Sequence, residues 1–531
     1  LQLHGLRKKG AAEVNQKFPA LVLLAAVLFL ACGQKPGAHL AAGGGGNQEG
    51  GGITNPNLST GGGGESPVGN SSGGATTGPA GRSTVPGGSS AAGPGPATRT
   101  STARGDTTGI TSTSITIGLH APVTGAAPIE ARAFQVGKDV YWNYLNKAKN
   151  ETIYGRSVNV VFRDDQYNPT TAVAVCDQMA SSDKAFLLIG AAGTDQINAC
   201  SNYANQRGIP YLSAGVQTAG VNTRRTYFAI SMTYAAQMPL LAQYICKLGP
   251  ALDMLGPPDD ATGASGPPDK KVKIGMVRPN TPNFNDASSA LQSAIAKLDG
   301  NCGDVTYVFK IYTVVKEGQT SDAQNVGTQM KNDGVDVVSP ITAPLFTIQL
   351  ANYTAGQNYK PRYMGVGITN GINQGIAQEC RGNPPAFQDA VFFSPWPGWS
   401  NVMGTVTPGK YEYDSEYANA ATDFYTKGTT GLNKVGTGGD LMLAQWGIMK
   451  VVHKMLLAAG PNLTRQSFVQ TLLNFSTSTA TFPDLAFNNS HFGARNVHVL
   501  VGRCDDPDGP GGPDGPRFIE DPVNPGLRSS F

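Results

Sequence analysis

The chain has 531 residues, with 40 Lys and Arg against 37 Asp and Glu, giving a net charge of +3. That balance, with no basic stripe and no basic run interleaved with aromatics, argues against a nucleic-acid partner. The length allows two or three domains, although 68 glycines and 36 prolines are spread unevenly along it.

Arg7, Lys8, Lys9 and Lys17 precede an apolar run, Phe18–Ala31, that ends at Cys32. A basic region, a short apolar core and a small-residue cut site form a secretory signal. The run is shorter than the ~20 residues that span a bilayer. Cys32 directly after Phe29-Leu30-Ala31 resembles the bacterial lipoprotein signal, so residues 1–32 are expected to be a signal peptide and Cys32 the lipidated anchor. Ordinary secretion and an uncleaved anchor are the alternatives. From 33 to 113 the sequence is Gly, Ser, Thr, Pro and Ala, with no aromatic residue before Phe134. Such a segment has little to bury against its ordering entropy and reads as a disordered tether. Its root-mean-square reach is on the order of 50 Å.

From Ser114 the texture changes to alternating strands and helices. Ile115–Leu119 is predicted as a strand, with a turn at His120–Ala127 and a helix to about Lys147. Val158–Arg163 is the second strand, ending in Asp164-Asp165, and Asn168-Pro169 opens a helix over Thr170–Ser181. The apolar run Ala185–Ile189 is broken by Gly190-Ala-Ala-Gly193; Thr194 is placed as the N-cap of a helix to about Gln206, with Asp195 in its first turn. Ile209–Ser213 and Tyr227–Ser231 follow as strands, and the pattern then restarts. It runs through a helix at about Ala235–Leu248, an exposed insertion over Gly249–Asp269, strands at Val272–Val277, Val305–Tyr312, Val335–Pro340 and Arg362–Gly367, and helices between them. Glu412–Lys427 and Asp440–Ala459 are the long helical stretches of the last third, and Asp505–Asp514 is a Gly/Pro/Asp tail. Strands alternating with helices predict an α/β architecture with parallel sheets, here in two tandem units. The turn at Gly190–Thr194 gathers free backbone N–H groups at a helix N-terminus beyond a strand end, which suits an anion such as a carboxylate.

Beyond Cys32 there are six cysteines, Cys176, Cys200, Cys246, Cys302, Cys380 and Cys504, with no CxxC and no Cys/His pair at zinc spacing. An even number in an exported chain argues for three disulfides. Sequential pairing, 176–200, 246–302 and 380–504, is favoured because the first two pairs would join neighbouring elements. No metal and no cofactor is expected. No G-x-S-x-G, H-E-x-x-H or Walker pattern occurs, so an enzyme is not expected.

With these units placed, the chain resembles the branched-chain amino-acid (Leu/Ile/Val)-binding proteins of ABC importers, which have the type I periplasmic-binding fold. The blocks ITIGLHAPVTG, VVFRDDQYNPTTAVAVCDQM and LLIGAAGTDQINACSNYANQRGIPYLSAG carry the likeness, which extends more loosely from about Ser114 to Val501. The resemblance implies two Rossmann-like lobes with central, mainly parallel sheets and a three-crossing hinge. Lobe 1 would take about 114–233 and 398–485, and lobe 2 about 234–397 and 486–531. It also implies hand-off to ABC permease subunits. In the family a ligand carboxylate is held after the third and fourth strands, which here means Gly193 and Thr194, then Gly215, Gln217 and Thr218. Thr124 lies in the turn Pro122–Ala126 that would line the same lobe. Phe284, Thr342, Gly367 and Trp396 are the candidate contacts from lobe 2.

Lobe 2 departs from the family. The amine-binding acid that follows the family's last strand is missing from Met364-Gly365-Val366-Gly367-Ile368-Thr369, and Ile341-Thr342-Ala343-Pro344 replaces a Gly-Gly-Tyr. Burying an ammonium without a counter-charge costs several kcal/mol, on the order quoted for buried ions. The expected ligand is therefore a small carboxylate or amide related to amino acids but lacking that amine, unless Asp286 or Glu130 supplies the charge. Phe392, Phe393, Trp396 and Trp399 read either as an aromatic wall or as packing. His120 reads as a cleft contact or a packed residue, and Asp164-Asp165 as a metal pair or turn acids. The resulting expectation is a lipid-anchored extracytoplasmic solute-binding protein on the outer face of a bacterial membrane. A ligand-presenting sensor lipoprotein, or a structural or adhesive surface lipoprotein with a vestigial cleft, are the alternatives.

Overall fold

The computed structural model describes residues 105–129, 131–215, 217–249, 271–303, 305–367, 386–395, 416–417, 420, 423–424, 439–504, 517–524, 526 and 528–531. The expected signal peptide, Cys32, Glu130, the 249–269 insertion beyond Gly249, Cys380, Trp396, Trp399, most of Glu412–Lys427 and the 505–514 tail lie outside them.

The first lobe is built on β1 (Ser114–Ala121), β2 (Ser157–Asp164), β3 (Leu187–Gly190), β4 (Tyr211–Ser213) and β5 (Tyr227–Ala229). Helices α1 (Ala131–Gln135), α2 (Gly137–Asn143), α3 (Pro169–Ser181) and α4 (Thr194–Gln206) connect them, and a π-helical turn, Tyr144–Ala148, extends α2. The sheet order is β2-β1-β3-β4-β5 with every pairing parallel. Covered on both faces, its central strand β3 (LLIG) is wholly buried, which is why it reads as an unbroken apolar run. Asn168 starts α3 by accepting the backbone N–H groups of Thr170 and Thr171, with Pro169 in the first turn.

The second lobe begins with α5 (Tyr234–Leu248) and continues through β6 (Lys271–Pro279), α6 (Asn285–Ile295), β7 (Thr306–Val314), α7 (Thr320–Asp333), β8 (Val337–Pro340), α8 (Pro344–Gly356), β9 (Arg362–Gly365) and β10 (Val391–Ser394). The chain then contributes α9 (Gly439–Ala459), α10 (Arg465–Leu473) and a small β11 (Ser476–Thr477)–β12 (Leu485–Ala486) ladder, and ends in β13 (His498–Arg503) and β14 (Arg517–Glu520). The second sheet has the order β14-β13-β10-β9-β8-β6-β7. Its first five strands in chain order run parallel, and β13 and β14 add on antiparallel. Phe392 and Phe393 lie in β10 and are fully buried, against Phe387 and Phe518 and against Tyr244 and Phe531 respectively. They are core, and the aromatic-wall reading fails for both.

Within α9, Leu441–Ala459 is the one stretch among the described residues long and apolar enough to cross a membrane, but 67% of that window is buried inside the protein. It packs on α2, where Tyr141 meets the Trp446 ring edge-on at 4.9 Å. This is a core helix.

Two expected disulfides are present. Cys176–Cys200 ties α3 to α4 with a Cα–Cα separation of 6.0 Å, and Cys246–Cys302 ties the end of α5 to the segment after α6 at 5.4 Å. Cys504 is also disulfide-bonded. By chain entropy each bridge restricts the unfolded chain by about 3–4 kcal/mol.

Residues 105–113, which composition alone places in the tether, are docked on the first lobe. Arg465 at the start of α10 pairs with Asp106 at 2.8 Å and donates to the carbonyls of Ala185 and Phe186 just before β3. The Asp106 amide in turn donates to Gln466. The folded body thus begins by Gly105.

Candidate functional site

The segments after β1, β2 and β3 of the first sheet and after β6 and β7 of the second border a common cleft, each with local chemistry set by its own residues. After β1 the turn is held by Asp164 from the end of β2, which accepts the N–H of Val123 (3.0 Å) and the hydroxyl of Thr124 (2.5 Å). Burial pushes the Asp164 carboxyl up, but these hydrogen bonds outweigh it and hold the acid below its ordinary range. Asp164 is therefore a turn acid, and Thr124 is exposed with its hydroxyl engaged by it.

His120 does not face the cleft. It is fully buried, with Nδ1 at 2.7 Å from Asp165 and Nε2 at 2.7 Å from the Tyr211 hydroxyl, a chain linking β1, the end of β2 and β4. Tyr211 reaches His120 by passing over Gly190, where a Cβ would lie 2.0 Å from its hydroxyl oxygen. Glycine is required there by close approach. Among the described residues the one metal-sized cluster is His120 with Cys176 and Cys200, and both thiols are spent in the disulfide.

After β3, Gly193 occupies the N-cap with φ +84°, and Thr194 is the first residue of α4. The expected Thr194 cap is thus one residue out: Gly193 supplies the strained backbone, and no side chain caps the helix. Thr194 is 8% exposed. After β4, the Gly215 carbonyl accepts the hydroxyls of Ser213 (2.9 Å) and Ser231 (3.1 Å), which fixes the turn from beneath. Gln217 follows, fully buried, with neither amide oxygen nor amide nitrogen hydrogen-bonded. Thr218 donates to Asp286 of α6 at 2.8 Å, and the Ala219 N–H donates to the same carboxylate at 2.6 Å. Asp286 is therefore engaged in hydrogen bonds between the two lobes.

From the second lobe, Phe284 is buried against Tyr234 with ring centroids 5.7 Å apart. Thr342 is buried with its hydroxyl 2.9 Å from that of Thr347. The Gly367 N–H is met by Gln237 at 3.0 Å. Trp396 lies outside the described residues.

Sequence reasoning missed the residues that join the lobes. Tyr167, just beyond β2, donates to Glu317 at 2.6 Å, and the Ala343 N–H donates to the other Glu317 oxygen at 2.6 Å. Asn283 donates to Asp195 at 2.6 Å and accepts from Asn198 at 2.7 Å. At Gly318 a Cβ would lie 2.3 Å from the Ala126 carbonyl oxygen, so the two lobes touch through backbone there. Only the Asp195 position, in the first turn of α4, carried any local signal. Between the lobes a cleft of about 560 Å³ remains, walled by Ala126, Tyr167, Asp195 and Gln196 on one side and by Thr281 and Glu317 on the other.

Glu317 makes the contact between the lobes pH-dependent. Burial, and secondarily the Asp195 charge, raises its carboxyl above the ordinary 4.5, against the hydrogen bonds from Tyr167 and Ala343. A raised value with the lobes in contact means that lobes in contact bind more protons than separated ones, in which Glu317 would be hydrated. Closure should therefore strengthen as pH falls from above the raised value toward 4.5. The expected result is tighter ligand binding at mildly acidic than at mildly alkaline pH. Glu317→Gln should flatten that profile in calorimetric titrations.

A family profile described as periplasmic binding protein matches residues 114–506. A comparison with curated proteins finds no match. Among solved structures, a fatty acid ABC transporter substrate-binding protein from Thermomonospora curvata is 15% identical, covers 80% of this chain and 95% of its own, and superposes with a TM-score of 0.59. An ABC-transporter solute-binding protein from Rhodopseudomonas palustris BisB5, in complex with 3,4-dihydroxybenzoic acid, is 14% identical over 76% of this chain and 96% of its own, with a TM-score of 0.56. The branched-chain amino-acid transporter substrate-binding protein of Streptococcus pneumoniae, in complex with isoleucine, is 15% identical over 77% and 100%, with a TM-score of 0.55. At these identities the likeness is one of fold, two α/β lobes facing each other across a cleft. The profile covers nearly all of that folded body, and the chain belongs to the periplasmic binding protein family.

Proposed function

We propose that this chain captures a small ligand for an ABC importer, without chemical change, by closing two lobes over it about three chain crossings. In this reading it works outside the cytoplasm, held to the membrane by a lipidated Cys32 and a tether, and delivers the closed complex to permease subunits. The ligand is a carboxylate or amide without an α-ammonium. Its carboxylate docks on Gly193 and Thr194 at the head of α4 and on Gly215 and Gln217 after β4. Phe284, Thr342, Gly367 and Trp396 face its other end.

The observation that carries the reading is Gln217. A fully buried amide with neither end hydrogen-bonded is rare in a folded protein and costs free energy. A ligand oxygen accepting from its nitrogen removes that cost. The helix start at Gly193 and Thr194 supplies backbone donors of the kind that hold anions. The ligand class rests on the sequence after β9, which lacks an acid from Met364 to Ala377, and is in keeping with the aromatic acid held by one of the solved relatives.

The test is calorimetric titration of the full chain with leucine, its keto-acid counterpart and benzoate. Binding of the keto acid or benzoate without leucine supports the reading. Binding of leucine alone contradicts it.

A further inference from the structure

The cleft holds hydrogen-bond acceptors that meet no donor. Asp195 uses Oδ1 for Asn283 and Thr281, and no described residue donates to its Oδ2. Its neighbour Gln196 is 2% exposed, lines the cleft, and has its amide oxygen buried without a partner. Across the cleft stands the Glu317 carboxylate, 9% exposed. The single basic residue on the wall is Lys316, which is exposed. Two carboxylates and an amide oxygen thus border one partly dehydrated space. The Asp195 charge is among the causes that push the Glu317 carboxyl up, as it must when two acids face each other with no cation between them.

A primary ammonium carries three donors and one positive charge. It would satisfy Asp195 Oδ2 and Gln196 Oε1 and relieve the repulsion between Asp195 and Glu317. A carboxylate would add to the repulsion, and an apolar group would leave the acceptors unmet. The place matters as well. These residues border the segments after β6 and β7, at the edge of the second sheet away from β9, and it is after β9 that the sequence lacks an acid.

We propose that this part of the cleft is an ammonium subsite, with Asp195 as the principal counter-charge, so that the ligand carries a primary amine away from its carboxylate. The ammonium subsite rests on the two-lobe cleft as the binding site; that the ligand also bears a carboxylate rests on the reading above.

The experiment titrates the full chain calorimetrically with n-butylammonium, benzoate, 4-(aminomethyl)benzoate and the neutral 4-(hydroxymethyl)benzoate, and repeats the series on Asp195→Asn. Asparagine keeps an oxygen for Asn283 while removing the charge. The expected result is that 4-(aminomethyl)benzoate binds the wild type about tenfold or more tightly than the hydroxymethyl compound, as a hydrogen bond to a charged group allows. Asp195→Asn should abolish that preference, lowering affinity for 4-(aminomethyl)benzoate at least tenfold more than for benzoate. The wild-type comparison decides the matter even if the variant folds poorly. Equal binding of the amine and the alcohol, or no binding of either amine, overturns the proposal. Binding of n-butylammonium that is lost in Asp195→Asn, with no carboxylate bound, upholds the ammonium subsite and overturns the carboxylate reading alone.

Discussion

Gln217→Met should weaken carboxylate binding by about 1.5–3 kcal/mol, the range for a hydrogen bond to a charged group, or roughly ten- to hundredfold in affinity. Ligand-free stability should stay level or rise. The two halves of this expectation come from one fact: neither end of the Gln217 amide is hydrogen-bonded to the protein. Removing it therefore breaks no internal bond, and the backbone bond from the Tyr234 N–H to its carbonyl at 3.0 Å is kept. Methionine fills a similar volume with an apolar chain. Denaturant unfolding together with calorimetry separates the outcomes. A loss of stability with affinity untouched would make Gln217 a structural residue and remove the main support for the carboxylate dock.

Asp286→Ala should lower affinity for any ligand by about 2 kcal/mol, some thirtyfold, because two hydrogen bonds to a charged acceptor are lost in the closed form only. Both come from the first lobe, from the Thr218 hydroxyl and the Ala219 N–H. In an open form both partners are hydrated, so the loss falls on the closing equilibrium. The carboxylate also accepts the N–H of Ala287 at the head of α6, so some loss of global stability accompanies it. Thr218→Val removes one of the two cross-lobe bonds and leaves that cap intact, and should show a smaller effect on affinity with little on stability. Unchanged affinity in both variants would mean that closure does not depend on this contact.

The alternation of strands and helices from Ser114 to Gly367 was legible because strands of a doubly covered parallel sheet are short apolar runs bounded by glycine and capping residues. The runs around Leu187–Gly190 and Val337–Pro340 are of this kind. The antiparallel strands β13 and β14 were not read, since HVLVGR and RFIE flank a Gly/Pro/Asp tail, and β13 joins the sheet only through distant β10 and then carries β14. The docking of residues 105–113 was invisible for a similar reason. It rests on Asp106 and Arg465, 359 residues apart, and on an Ile110–Ile115 bridge that no sequence pattern marks. At the site, the turns after β3 and β4 could be placed from the βαβ pattern and the resemblance. What each side chain does there could not. His120 read as a cleft contact or a packed residue, and only Asp165 and Tyr211, 45 and 91 residues away, decide for the second by enclosing it. Tyr167 and Glu317, 150 residues apart, meet only across the boundary between the lobes.

The central claim is capture by closure, and the most direct measurement is the distance between the lobes with and without ligand. Spin labels at Ala174 on α3 and Gln324 on α7, both exposed, report it by pulsed electron resonance. The account predicts a broad, longer distance in the free protein that collapses to a narrow, shorter one with a saturating ligand, and that Asp286→Ala shifts back toward the longer. A single distance, the same with and without a ligand that calorimetry shows to be bound, would contradict it.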